Sequence, residues 1–186
     1  MNYVAKSALI VLLVLPAAQL AVAQDKGVVP SPPARFEGKF AIADLGNDRT
    51  VVTVPHQRVS GENVCNVWVS GGYTFVGKPQ GPPERVYISF TRVSTDEPKM
   101  LKSETERTLI LSLDGETLNL GPMSSVKEVT AGYSLVTQGL MLHMPYETFK
   151  KFTHARKVGV TLGPLRFDLT EQNLQDFRDL LARMTR

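Results

Sequence analysis

The stretch that decides the fold is residues 145–186, PYETFKKFTHARKVGVTLGPLRFDLTEQNLQDFRDLLARMTR. It predicts two helices with a pair of strands between them. Pro145 can open the first helix, because the N–H that proline lacks is one that a first turn leaves unpaired. Phe149 and Phe152 are three residues apart and therefore fall on one face of that helix. This face needs a surface to pack against.

Alternating apolar residues predict the strand pair. Apolar side chains recur at every second position in Val158–Leu162 and in Leu165–Leu169, and Gly163-Pro164 marks the turn. Thr170 is a good N-cap for the second helix. An apolar stripe at helical spacing follows, formed by Leu174, Phe177, Leu180, Leu181 and Met184. Since this stripe cannot face water along its whole length, the rest of the chain must supply a surface that covers it.

The N-terminus has the features of a secretory leader. Lys6 supplies a positive charge before the apolar run Ala8–Leu15, and Ala21-Val22-Ala23 places small residues where a signal peptidase reads. The run is much shorter than the roughly 20 residues that span a bilayer, which disfavours a retained anchor. We predict a signal peptide over residues 1–23 and a periplasmic or secreted mature chain that starts at Gln24 and contains no transmembrane segment.

Length and charge indicate one domain that does not bind nucleic acid. Residues 24–35 contain three prolines among small and polar residues, which predicts a flexible, extended tether. The remaining residues, 36–186, are enough for a single β-rich domain. Loss of Lys6 lowers the formal net charge from +3 to +2, and the charges are well mixed. A nucleic-acid binder would instead show a basic stripe.

The middle of the chain is rich in strand and turn patterns. Gly71-Gly72, between Val64–Ser70 and Tyr73–Val76, predicts a hairpin, because two glycines tolerate positive φ angles. Asp114-Gly115 predicts another hairpin, and its pattern resembles that of residues 158–169, which hints at a repeated unit. Residues 133–144 predict either one long strand with a bulge at Gly139 or a hairpin at Gln138-Gly139. Shorter strands are predicted over residues 36–44, 50–54 (ended by Pro55) and 85–93.

These eight to ten strands and two helices predict an α+β fold of mostly antiparallel strands. The sheet arrangement is either a β-sandwich or a partly open barrel. The short helix and the C-terminal amphipathic helix are expected to pack on it.

The residues that commonly carry chemistry are few and scattered. His56, His143 and His154 lack the spacing of a zinc site. Met141 and His143 share a strand face and would suit copper, but an ordinary strand end is the preferred interpretation. Cys65 is the single cysteine and is interpreted as a small buried hydrophobe rather than a reactive thiol. With the common nucleophile and phosphate motifs also absent, we predict no catalytic residue, metal or cofactor, and enzyme activity is disfavoured.

Candidate binding residues lie mainly on loops, because functional contacts on a rigid β scaffold concentrate there. Trp68 and Tyr73, near the predicted Gly71-Gly72 tip, would offer aromatic contacts. The loop Lys78–Glu84 is rich in proline, and a charged loop over 94–106 is predicted to be dispensable for stability between residues 96 and 104. The charged candidates in that loop are Asp96, Glu97, Lys99 and Lys102.

The order of elements from Pro145 through 158–163 and Phe167-Asp168-Leu169 to the final helix resembles the ending of small exported bacterial β-rich domains of uncharacterised function. The resemblance implies a fold and a compartment but no activity. We therefore predict an exported, non-enzymatic domain that binds a partner or ligand at the cell envelope, such as another envelope protein or a cell-wall component. Two alternatives are a barrel-like carrier of a lipid or small apolar ligand, and a small exported enzyme whose site is assembled only in three dimensions.

Overall fold

The computed structural model describes residues 34–59, 66–79, 81–94, 101–130 and 135–185. The predicted signal peptide and most of the predicted tether lie outside the described residues. The same holds for Cys65 and for three of the charged loop candidates, Asp96, Glu97 and Lys99. Arg35, predicted to end the tether, already belongs to the first strand.

The described residues form eleven strands and two helices. The strands are β1 Arg35–Glu37, β2 Phe40–Gly46, β3 Arg49–Arg58, β4 Val67–Val76, β5 Arg85–Ser94, β6 Thr108–Leu113, β7 Glu116–Pro122, β8 Ser124–Thr130, β9 Leu135–Pro145, β10 Val158–Leu162 and β11 Leu165–Asp168. The helices are α1 Tyr146–His154 and α2 Glu171–Met184. The larger sheet has the order β1-β2-β3-β4-β5-β9-β8 and the smaller one β11-β10-β6-β7. The predicted α+β class with mostly antiparallel strands is confirmed, in a sandwich-like arrangement of two sheets.

One hydrophobic cluster joins the two sheets and both helices. Phe90 of the larger sheet meets Phe167 of the smaller sheet nearly edge to face, with ring centroids 5.8 Å apart. Phe177 of α2 meets Phe149 and Phe152 of α1 at 6.0 and 5.2 Å. The predicted burial of the α2 stripe is confirmed except at Leu181, which is only half-buried.

The start of α2 matches the sequence prediction. The Thr170 hydroxyl accepts a hydrogen bond from the Asn173 N–H at 3.1 Å, and the Asn173 side chain accepts one from the Thr170 N–H at 3.0 Å. This reciprocal pair satisfies two N–H groups that a helix start would leave without partners. Further along α2, the Arg178 guanidinium donates to the Thr153 and Ala155 carbonyls at 3.0 and 3.2 Å, which fixes the end of α1 against α2.

Charged residues join the first hairpin to the last helix. Lys39, in the turn between β1 and β2, pairs with Asp176 and Asp179 of α2. Glu37 pairs with Arg183, whose guanidinium lies 5.2 Å from the centre of the Phe40 ring. These contacts form a clamp, Glu37 and Lys39 with α2, that connects the two ends of the described chain.

The predicted hairpin at Gly71-Gly72 is wrong, because β4 runs without a turn through both glycines. A Cβ on Gly71 would lie 2.6 Å from Cε1 of Phe177. A Cβ on Gly72 would overlap the Val52 carbonyl oxygen and lie 2.5 Å from the Tyr87 hydroxyl. The two glycines are therefore required by close approach on opposite faces of the sheet, a role that glycine has in strand interiors.

Gly72→Ala is expected to lower the free energy of unfolding by about 1–3 kcal/mol, because the neighbouring Val52 carbonyl is backbone and cannot rotate away. Urea-induced unfolding measures this loss. Gly159→Ala is the matched control: it also lies in a strand, but its added Cβ would meet nothing closer than 3.3 Å. Equal losses in the two variants would contradict the explanation.

Pro55 and Gly139 have different roles from those predicted, whereas Pro145 stands at the start of the first helix as predicted. β3 continues through Pro55, because a register shift between Val54 and Gln57 accommodates a residue that has no N–H to donate. β9 is one long strand, and its pairing with β5 passes Gly139 without a bulge or a turn. Pro145 ends β9 and stands at the N-cap of α1.

Two other predicted element boundaries differ from those in the structure. The predicted strand over residues 36–44 is two strands separated by a turn at Gly38, whose φ is +60°. The predicted connection over residues 121–126 contains the end of β7 and the start of β8.

The smaller sheet contains the two hairpins that look alike in sequence. The predicted turn at Asp114-Gly115 joins β6 to β7. The hairpins β6–β7 and β10–β11 lie side by side because β6 and β10 pair antiparallel, with Leu111 opposite Val160. Among the described residues, neither helix combines the length and apolar character needed to cross a membrane.

Candidate functional site

The larger sheet has an inner face, which packs on the helices, and an opposite face that we call the outer face. Residues directly opposite each other on neighbouring strands share a face. The pairing registers therefore place one row of outward residues across six strands: Phe36, Ala41, Thr53, Gly72, Tyr87 and His143. Because side chains alternate between the two faces along each strand, the remaining outward positions follow from this row.

Tyr87 forms the rigid centre of the outer face. Its ring lies over Gly72, and its hydroxyl is 2.7 Å from the Thr53 hydroxyl on β3. Burial raises the pKa of Tyr87 to about 12, and the hydrogen bond with Thr53 offsets only part of that rise. On its other side, Tyr87 meets the His143 ring edge-on at 5.9 Å. The Tyr87 phenol is thus neutral at ordinary pH, and its contacts hold the ring in one position on the outer face.

Trp68 lies at one end of this face with a guanidinium beside it. It is half-buried, directly opposite exposed Arg58 on β3 and opposite Thr91 on β5. The Thr91 hydroxyl is 3.1 Å from Nε2 of His56. Burial lowers the pKa of His56, which favours the neutral imidazole. Trp68 and Arg58 thus stand side by side on a surface held by hydrogen bonds.

The other end of the outer face is apolar. Ala43, Val51 and Tyr87 form a small buried cluster, against which three further side chains pack: Ala34, Leu45 and Met141. Phe36 and Val76 share this face and are 61% and 68% exposed. At the usual strand spacing they lie roughly 20 Å apart. We call Phe36, Val76 and the residues between them (Ala34, Ala43, Leu45 and Val51) the apolar patch.

The charge of the outer face has one sign on strands β1–β5 and β9. Arg49 lies opposite Val76, and Arg58 lies opposite Trp68. The pKa of His143 is lowered mainly by its partial burial and further by the positive charge of nearby Arg85. All three arginines are exposed and form no ion pair with another described residue. No outward position on these strands is Asp or Glu. Elsewhere, by contrast, Lys39, Arg178 and Arg183 each pair with a carboxylate.

The predicted site residues fall in different places. Tyr73 and Trp68 lie on opposite faces of β4, and Tyr73 is 5% exposed. Burial raises the pKa of Tyr73, and the neighbouring Arg183 opposes this rise. Tyr73 lines an open groove of about 350 Å³ with Met184 and part of the predicted proline-rich loop. Because they lie on opposite faces, the structure does not bring Tyr73 to Trp68.

Lys102 is exposed, and its backbone N–H donates to Glu106 Oε2 at 2.8 Å.

The second half of the charged loop is anchored in the core. The Leu101 N–H donates to Gln138 Oε1 at 3.0 Å, and Gln138 Nε2 donates to the Leu101 carbonyl at 2.7 Å and to the Ser125 hydroxyl at 2.9 Å. Leu101 and Gln138 are 3% and 4% exposed. Leu101 is therefore expected to contribute to stability, contrary to the prediction for residues 96–104.

The histidines do not form an acid–base site with other described residues. His56 is paired with a hydroxyl and His143 with a ring, and neither has a carboxylate partner in the described part of the chain. No three His, Cys, Asp or Glu residues within it are placed to hold a metal ion. Met141 and His143 do share a face, but Met141 packs against the apolar cluster.

Sequence reasoning identified Trp68 but missed the three arginines, because only strand register brings Arg49, Arg58 and Arg85 to one face. With indole, guanidinium and apolar groups on one face, this arrangement can bind an anionic partner. Comparison of the chain with protein-family models, curated proteins and solved structures gives no match.

Proposed function

We propose that this protein is an exported, non-enzymatic domain that binds an anionic partner at the cell envelope through the outer face. The observation that carries the proposal is the set of three exposed arginines, Arg49, Arg58 and Arg85, on strands whose outward positions hold no carboxylate. A surface with one sign of charge raises the local concentration of oppositely charged partners and steers their approach. The leader features of residues 1–23 support the proposed compartment.

The chemistry of the arginines favours carboxylate, phosphate or sulfate groups. A guanidinium offers a planar set of donors that matches two acceptor oxygens at once. The indole beside Arg58 adds a large, rigid contact surface. One exposed ion pair contributes only about 0–1 kcal/mol, so useful affinity requires several contacts together.

The spacing of the arginines indicates an extended partner. Arg49 and Arg58 lie at the two ends of β3, which at strand geometry places them roughly 30 Å apart. A small anion would reach only one of them. A polymer, a protein surface or a membrane surface carrying repeated negative charges would reach both.

The carrier and enzyme alternatives receive less support. The grooves of about 350 and 470 Å³ both open to solvent, so neither encloses an apolar ligand as a carrier would. Among the described residues, His56 and His143 have no carboxylate partner of the kind that general acid–base catalysis commonly uses. The outer face is the feature of the described chain that best fits binding.

The test uses dextran sulfate as a soluble polyanion and neutral dextran as its control. Trp68 is the single tryptophan of the chain and lies on the outer face, so its fluorescence reports occupancy directly. We expect dextran sulfate to change the emission, increasing salt to weaken the binding, and the triple variant Arg49→Gln/Arg58→Gln/Arg85→Gln to lose affinity about tenfold or more.

The matched control is Lys150→Gln/Lys151→Gln/Arg156→Gln, which removes three exposed charges in and just after α1. It removes the same net charge and tests whether exposed cations away from the outer face bind the polyanion instead. Equal losses in both triple variants would mean that net charge, rather than the outer face, determines binding. A wild-type protein that ignores dextran sulfate would refute the proposal.

A further inference from the structure

Two side chains of the apolar patch are exposed to solvent, whereas the residues between them are buried or half-buried. Phe36 and Val76 are 61% and 68% exposed, although both are held on strands. Their outward neighbours include the small residues Ala41 and Ala43, which are 8% and 6% exposed and cannot cover them. Phe36 and Val76 are the large hydrophobic side chains that are exposed among the described residues, and both stand on this one face. Exposed apolar surface of this kind can mark an interaction site.

We propose that the apolar patch docks onto an anionic lipid bilayer. Phe36 and Val76 enter the boundary between head groups and acyl chains, while Arg49 and Arg85, on the same face, contact lipid phosphates. This inference rests on the proposed function and names the anionic partner of the outer face.

Charge complementarity selects an anionic bilayer over other occupants. Arg49 stands directly opposite Val76, so a cation and a protruding apolar group are presented together. Proteins that lie on membranes combine apolar side chains with cations on one face in this manner. Each basic residue near an anionic membrane strengthens binding roughly fivefold. A soluble polyanion would satisfy the arginines but would leave Phe36 and Val76 in water.

The predicted leader would also bring this patch toward a membrane. Ala34, the first described residue, belongs to the apolar patch, so the preceding chain joins the domain at this edge. The ten residues from 24 to 33 can span at most roughly 35 Å. A leader held in the membrane would therefore keep this edge within that distance of the bilayer until the leader is cleaved.

The experiment is vesicle flotation of the mature chain from Gln24 to Arg186. One set of vesicles contains phosphatidylglycerol mixed with phosphatidylcholine, and the other contains phosphatidylcholine alone. We expect binding to the anionic vesicles only. Phe36→Ser/Val76→Ser should weaken that binding by about tenfold or more while leaving dextran sulfate binding unchanged. Because both side chains are exposed, urea unfolding should confirm that the variant keeps its fold.

Ile110→Ser is the matched control, since Ile110 is a half-buried apolar residue on the outward side of the smaller sheet. It should leave vesicle binding unchanged. Binding to dextran sulfate but to no vesicle would overturn the membrane inference and leave the proposed function standing. Binding to neither would overturn both. Anionic-vesicle binding that Phe36→Ser/Val76→Ser does not weaken, or equal binding to both vesicle sets, would overturn the membrane inference alone.

Discussion

Phe177→Ala is expected to lower the free energy of unfolding by about 3–5 kcal/mol. The Phe177 ring is 2% exposed and packs against Phe149 and Phe152 of α1. Its edge also lies against Gly71 of β4. Truncation therefore opens a cavity where two helices and the larger sheet meet. Urea-induced unfolding followed by circular dichroism measures the loss.

Leu181→Ala provides the control on the same helix. Leu181 was predicted to be as buried as Phe177 but is half-buried, so the variant should lose clearly less stability. Losses of equal size, or an unchanged midpoint for Phe177→Ala, would show that α2 does not seal the core as described.

A double-mutant cycle extends this test to the glycine beneath the ring. Gly71→Ala should destabilise the wild type because its Cβ would lie 2.6 Å from Phe177. In the Phe177→Ala background that contact is absent, so the same change should cost less. Additive losses would place the strain elsewhere.

Leu101→Ala is expected to lower the free energy of unfolding by about 2–5 kcal/mol, although Leu101 lies in a charged loop. The side chain is 3% exposed, and both backbone polar groups of the residue are bound by the Gln138 amide. The loss combines a cavity with weaker positioning of the loop, and chemical denaturation measures it.

Lys102→Ala tests whether this effect belongs to Leu101 or to the loop in general. Lys102 is exposed, and only its N–H takes part in the hydrogen bond to Glu106. Alanine keeps that N–H, so stability should change by less than about 0.5 kcal/mol. A large loss here, or none at Leu101, would refute the anchoring described.

Local patterns were sufficient for the last quarter of the chain. Alternation over residues 158–169 and the Thr170 cap depend on near neighbours, and the structure has both. The hairpin predicted at Gly71-Gly72 is wrong because the side chains that require glycine there, Phe177 and Tyr87, are distant in sequence. No local propensity distinguishes a glycine that turns the chain from one that lets another side chain approach.

The outer face could be predicted only in part for a related reason. Trp68 is a conspicuous residue, but its partner Arg58 is identified by strand register, which a bulge at Pro55 shifts. Tyr73 is a candidate binding residue in the sequence because it neighbours the predicted hairpin tip. Once β4 is continuous, the same alternation that brings Trp68 outward carries Tyr73 to the inner face.

The clamp between Glu37, Lys39 and α2 has a consequence for the timing of folding. Lys39 and Asp176 are 137 residues apart in sequence, and Glu37 and Arg183 are 146 apart. Contacts at such separations require closure of a long loop and slow the folding of a chain. Because α2 follows every strand of the larger sheet in the chain, the inner face of that sheet stays uncovered until α2 has been synthesised. Until α2 is in place, the nascent polypeptide thus exposes an apolar sheet surface that could pair with other chains.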